Sequence, residues 1–110
     1  MNFPEEQVSE LNRLFPGVQA CEEGGTTFLL IPNLKLPDGC KPEAVDALFC
    51  PTARDGYTSR LFFAEKVKAG PNWNGAARVL ERNWFAFSWK VAEGLRLAQM
   101  VAEHLRGLRT

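Results

Sequence analysis

The chain has 110 residues, 45% of them hydrophobic, and its 13 basic side chains balance 13 acidic ones. That length and composition suit one domain with one modest core, and the balanced charge argues against a nucleic-acid binder, which gathers a basic excess on one face. No apolar run approaches the ~20 residues that span a bilayer, and the acidic, helix-forming "MNFPEEQ" is not a signal peptide, so a soluble, cytoplasmic protein is expected.

Pro4 suits the first position of a helix, with Glu5 and Glu6 in the first turn, where carboxylates favour the helix dipole. Val8, Leu11 and Phe15 recur three and four residues apart and predict an amphipathic helix over 4–15, stopped by Pro16-Gly17. "VQACE", the turn "EGG" and "TTFLLI" predict a β-hairpin whose glycines supply the positive φ of a tight turn. "PNLKLPDGCKP", with three prolines and a glycine, predicts an irregular connection. "AVDALFC" is a third strand. "PTARDGYTS" carries the turn signal Asp55-Gly56, and "RLFFAEKV" is a fourth strand.

After residue 68 the pattern changes. "AGPNWNG" reads as loop, "AARVLERNW" as a short helical turn, and "FAFSWKV" is aromatic and fits either period. Over 92–108, Leu95, Ala98, Ala102 and Leu105 line one side of a closing helix, widened by Leu97, Val101 and Leu108. The expected fold is a single α+β domain over 1–110: an N-terminal helix, a four-stranded antiparallel meander, an irregular segment and a C-terminal helix.

Few side chains offer chemistry. Cys21, Cys40 and Cys50 are an odd number at wide spacing, which suits a reducing cytosol rather than a disulfide framework. There is no Cys-x-x-Cys pair and His104 is the single histidine, so no metal or cofactor is expected. Cys40 lies in a loop expected to be exposed, beside Lys41, which favours a thiolate. Cys50 ends the third strand, and free cysteines are often simply small buried hydrophobes. His104 is expected on the surface of the last helix. "FSW" lacks the glycines of a nucleophile elbow, and "EGGTT" lacks the ending of a phosphate loop. Asp46 and Asp55 are too loosely placed to form an acid/base pair.

Trp73, Trp84, Phe85, Phe87 and Trp89 fall within 17 residues. Trp84 and Trp89 are expected to fill the gap between the sheet and the last helix, and they are also candidates for a protein contact. Trp73, between Asn72 and Asn74 in a loop expected to be exposed, is the leading such candidate, because tryptophans recur at binding hot spots.

The segments "EEGGTTFLLIPNLKLPDGCKPEAVDALFC", "LFFAEKV" and "NWFAFSW" together resemble a small bacterial branch of the ubiquitin-conjugating-enzyme superfamily, prokaryotic family E. The residues that carry the resemblance are Gly24-Gly25, Leu36-Pro37-Asp38-Gly39, Pro42 with Asp46, and Trp84 with Ser88, over roughly 18–105. The resemblance implies the ubiquitin-conjugating fold. In conjugating enzymes a His-Pro-Asn element follows the fourth strand, and the cysteine that accepts the modifier as a thioester comes several residues later. Gly70-Pro71-Asn72 falls at the corresponding place, although Pro-Asn also suits an ordinary turn. The positions where the cysteine belongs hold Gly75, Ala76, Ala77 and Arg78, and no cysteine occurs after residue 50.

The expectation is therefore a catalytically inactive relative. It would bind a ubiquitin-like modifier, or the activating enzyme of the same operon, in a bacterial conjugation pathway of the kind associated with antiphage defence. Two alternatives stand beside it: an active conjugating enzyme using Cys40 or Cys50, and a small-molecule-binding domain whose aromatic cluster lines a pocket.

Overall fold

The computed structural model describes residues 3–54, 56–70 and 72–109. Asp55 and Pro71, on which the predicted turn and the Gly70-Pro71-Asn72 comparison partly rest, lie outside the described residues. In chain order the elements are α1 (Glu5–Leu14), β1 (Gln19–Glu23), β2 (Thr26–Lys35), β3 (Ala44–Cys50), β4 (Arg60–Phe63), β5 (Gly75–Val79), β6 (Arg82–Ala86), α2 (Leu97–Arg106) and a final 3₁₀ turn, Gly107–Arg109. The strands form one antiparallel sheet in the order β1-β2-β3-β4-β6-β5, curled into a half-barrel.

Local chemistry explains most of these boundaries. Glu5 and Glu6 open α1, and Leu11 is its fully buried residue. The chain leaves α1 through Gly17 at φ 93°, where the Asn12 side-chain oxygen accepts the Gly17 and Val18 amides at 3.0 and 3.2 Å. Gly24 and Gly25, at φ 60° and 80°, make the two-residue turn between β1 and β2. Between Ile31 and Leu34 the β2–β3 register shifts. There Asn33 adopts φ 51° and its amide donates to Asp46 Oδ1 at 2.8 Å, so a side chain satisfies the group that the bulge takes out of the ladder.

The sheet buries both faces. Leu29, Ile31, Val45, Ala47, Phe49, Leu61 and Phe63 pack with Leu11 of α1, Leu97 and Val101 of α2, and Leu108. Phe28, Leu48, Cys50, Phe62, Val79, Trp84 and Ala86 make a second cluster on the opposite side. Burial on both faces is why β2, β3 and β4 read as near-continuous apolar runs. The second cluster is flanked by the Arg54 guanidinium, 5.7 and 5.8 Å from the Phe28 and Phe62 ring centres, and by Arg82, 4.7 Å from the Trp84 ring. The curl also brings the two hairpins together: Glu23 Oε1, at the end of β1, accepts the amide of Leu80 from the β5–β6 turn at 3.1 Å.

The six-stranded sheet with two helices overturns the expected four-stranded meander and, with it, the ubiquitin-conjugating layout. The additional pair is the β5–β6 hairpin, made from "AARVLERNW" and the start of "FAFSWKV", where a helical turn and an ambiguous run were expected. Ala77, Val79, Trp84 and Ala86 do alternate with a period of two. Their turn, however, is Leu80-Glu81, with φ 55° and 60° at two residues that carry no hairpin signal.

Candidate functional site

The carboxyl-terminal half of the chain converges on one polar layer between β4, the loop before β5, the segment after β6 and α2. The 72–74 loop is pinned by the Ser88 amide, which donates to the Asn72 carbonyl at 2.8 Å. Trp73 turns inward: its ring nitrogen donates to the Ala69 carbonyl at 2.7 Å. Its ring packs 5.6 Å from Phe63 and 5.3 Å from Phe87. The tryptophan expected on an exposed loop is thus half-buried, and its neighbours Asn72 and Asn74 are the exposed ones.

Beneath this loop runs Arg60, the first residue of β4 and only 3% exposed. Its Nη2 donates to Asn74 Oδ1 at 3.2 Å and to the Phe87 carbonyl at 3.3 Å, and its guanidinium stacks 4.3 Å from the Tyr57 ring centre. The passage exists because residue 75 has no side chain: a Cβ there would lie 2.7 Å from Arg60 Nη2. Tyr57 is joined to Ser88 Oγ at 2.7 Å. The Ser88 and Asn74 hydrogen bonds, helped by the positive charges of Arg60 and Lys90, lower the phenol's pKa against a smaller opposing effect of burial.

Behind Arg60, Ser59 Oγ and His104 Nε2 meet at 2.9 Å, with both residues buried. Phe49 presents an edge-on ring 6.3 Å from His104. Burial, and then the Arg60 charge, push the imidazole pKa down to about 4, so it is neutral near pH 7. The histidine expected on the surface is therefore a core residue. Although serine and histidine are a nucleophile and a base, Ser59 is 1% exposed, and the imidazole holds a proton too weakly to be a good general base. The pair joins α2 to the residue that leads into β4.

The thiols are withheld. Cys40, expected in an exposed loop, is 3% exposed and packs in the helix-side core. The segment turns inward through Leu36 and closes with the Cys40 amide on the Pro37 carbonyl at 3.2 Å. Cys50 is 0% exposed, its Sγ 3.5 Å from the Thr52 carbonyl. Cys21 is half-buried; burial, and then the charge of Glu23, raise its pKa away from the thiolate. Gly75, Ala76, Ala77 and Arg78 belong to β5, so the positions where a conjugating cysteine would be sought form a sheet edge.

The remaining tryptophans separate. Trp84 is fully buried, but on the side away from the helices, with its ring nitrogen donating to the Val79 carbonyl at 2.9 Å. Trp89 is half-buried and does lie against the chain's end: a Cβ on Gly107 would stand 2.7 Å from its ring. Trp73, Phe63 and Phe87 pack against one another, with ring centres 5.3 to 6.1 Å apart. Among the described residues no group of His, Cys, Asp or Glu side chains could hold a metal ion, and no helix is long and apolar enough to cross a membrane.

No protein-family model, curated protein or solved structure matches this chain. The site is therefore read from its own geometry. Asn72, Trp73, Asn74 and Ser88, singled out in the sequence, are brought together. Tyr57, Ser59, Arg60 and His104 complete the layer and were not foreseen. The one sequence signal for them is Arg60, a charge at the head of the apolar run "RLFF". Only the pairing that sets it beneath Gly75 gives that charge a meaning.

Proposed function

We propose that this protein is a non-catalytic binding module that holds a ubiquitin-like modifier, or the enzyme that activates it, by surface complementarity. The observation that carries the reading is the state of the thiols: two are sealed in apolar cores and the third is shifted away from its nucleophilic form. The ubiquitin-like partner comes from the segment resemblance alone, since the sheet departs from the conjugating layout. The contact face is the rim of the polar layer, where Asn72, Asn74 and Lys90 are exposed and Tyr57 and Ser88 half-exposed around a rigid Trp73–Phe87 base. Fixed polar groups over a packed aromatic support need little ordering on binding.

Isothermal titration with a bacterial ubiquitin-like protein and its activating enzyme, the two proposed partners, tests the reading. One of them is expected to bind without ATP, with a Kd in the micromolar range, about −8 kcal/mol. Asn72→Ala and Lys90→Glu should weaken that complex while leaving the fold intact. Binding of neither protein, or binding indifferent to both substitutions, refutes the proposal.

A further inference from the structure

We infer that the free edge of β5 is a docking edge for an extended, acidic segment of a partner protein, which adds to the sheet as a seventh strand. The inference goes beyond the binding reading above, sharing with it only that the partner is a protein, and the edge is continuous with the contact rim through Asn74, which directly precedes β5. Among the described residues β5 pairs in the sheet with β6 alone.

The register says which main-chain groups face outward. Val79 pairs with Arg82 across the two-residue turn, and Ala77 with Trp84 two steps on. In an antiparallel ladder such positions alternate between bonded and non-bonded pairs, starting bonded at a two-residue turn. Ala76 and Arg78 therefore aim their N–H and C=O away from β6, into the space an added strand would occupy.

This edge is only lightly blunted, by its short length and one charge. It has no proline, and its outward-facing positions carry a small residue, Ala76, and a single charge, Arg78, both exposed. By contrast, β1 ends on Glu22-Glu23, and the Val18 amide at its entry is taken by Asn12. The β5–β6 turn is also held against strain. Leu80 and Glu81 sit in the left-handed region that non-glycine residues avoid. Glu23 accepts the Leu80 amide, and Arg78 donates to the Glu81 carbonyl at 3.2 Å. The edge is presented in one fixed geometry, which lowers the cost of docking.

Charge selects the occupant. The face carrying Ala76 and Arg78 also carries Asn83 and Phe85, the latter with Lys66 Nζ 5.8 Å from its ring centre. Arg78 and Lys66 make the middle of this face positive, while the acidic Glu81 and Glu23 lie at the turn end. An added strand runs ~4.8 Å from β5, so its carboxylates fall beside Arg78 and its apolar side chains pass the small Ala76 toward Phe85. Strand addition of this kind draws affinity from main-chain bonds and selectivity from alternate side chains.

Amide hydrogen exchange on the full chain tests this with two short capped peptides, one alternating Glu and Val, the other Lys and Val. The Glu-Val peptide at tenfold its Kd is expected to slow exchange of the Ala76 and Arg78 amides about tenfold, and the Lys-Val peptide should leave them unchanged. Ala76→Pro removes one outward N–H without touching the β5–β6 ladder and should abolish the protection. Arg78→Glu keeps every main-chain donor and acceptor of β5, although it gives up the hydrogen bonds to the Glu81 carbonyl and Asn83 Oδ1, and should reverse the preference between the peptides. The inference is overturned by absence of Glu-Val binding, by equal protection from both peptides, or by protection that survives Ala76→Pro. Such a failure leaves the titration with the modifier and its activating enzyme standing, and a failed titration leaves this edge standing.

Discussion

At the scale of single residues, His104 joins the site to stability. Its pKa is about 4 in the fold against an ordinary 6.5, so between those values the unfolded chain binds more protons and stability rises with pH. The contribution is fully present above pH 6.5 and is lost as pH falls to about 4. Its size is on the order of 3 kcal/mol. In His104→Gln, which keeps a neutral donor near Ser59, urea unfolding is expected to show a much flatter pH dependence across that window. An unchanged pH dependence would mean that the imidazole is not the titrating group. Residues of this kind were the least legible in the sequence. His104 falls three residues after Val101 and seven after Leu97, the spacing of the buried stripe of α2, but its polarity suggested the surface. Cys40 beside Lys41 resembles an exposed thiol until the Leu36–Cys40 segment is seen to fold inward.

Secondary-structure elements were legible where the turn chemistry was explicit. The acidic start of α1, the Gly24-Gly25 turn and the apolar runs of β3 and β4 each carry a local cause that the fold preserves. The β5–β6 hairpin has the right alternation but the wrong turn residues, because a tertiary contact from Glu23 and a side-chain bond from Arg78 within the hairpin hold Leu80 and Glu81 where backbone preference would not. Relief of that strain should be measurable. Glu81 is exposed, so Glu81→Gly is expected to stabilise the protein by about 0.5–1 kcal/mol, the left-handed penalty less the extra chain entropy of glycine. A loss of stability in urea unfolding would contradict the strained turn. The same two residues explain why the sheet was expected to have four strands: without a glycine or asparagine at the turn, the alternating residues on either side could not be told from a short helix.

For the molecule as a whole, the half-barrel allows a short chain to keep two apolar clusters, one under the helices and one inside the curl. Phe62, 0% exposed, anchors the second cluster between Phe28 and Trp84. Phe62→Ala should cost about 3–5 kcal/mol, whereas Leu14→Ala, at a residue 61% exposed, should fall within about 0.5 kcal/mol. Similar small losses for both would show that the second cluster contributes little. Two clusters also put two of the three thiols out of reach of a large substrate, since Cys40 lies in one and Cys50 in the other, while Cys21 stays half-buried. The most direct test is intact-mass spectrometry of this chain after incubation with the proposed partners, a ubiquitin-like modifier and its activating enzyme, and ATP, under denaturing, non-reducing conditions. The expected spectrum contains only the unmodified chain. A thiol-labile adduct of modifier mass that disappears in Cys21→Ser, Cys40→Ser or Cys50→Ser would contradict the binding account.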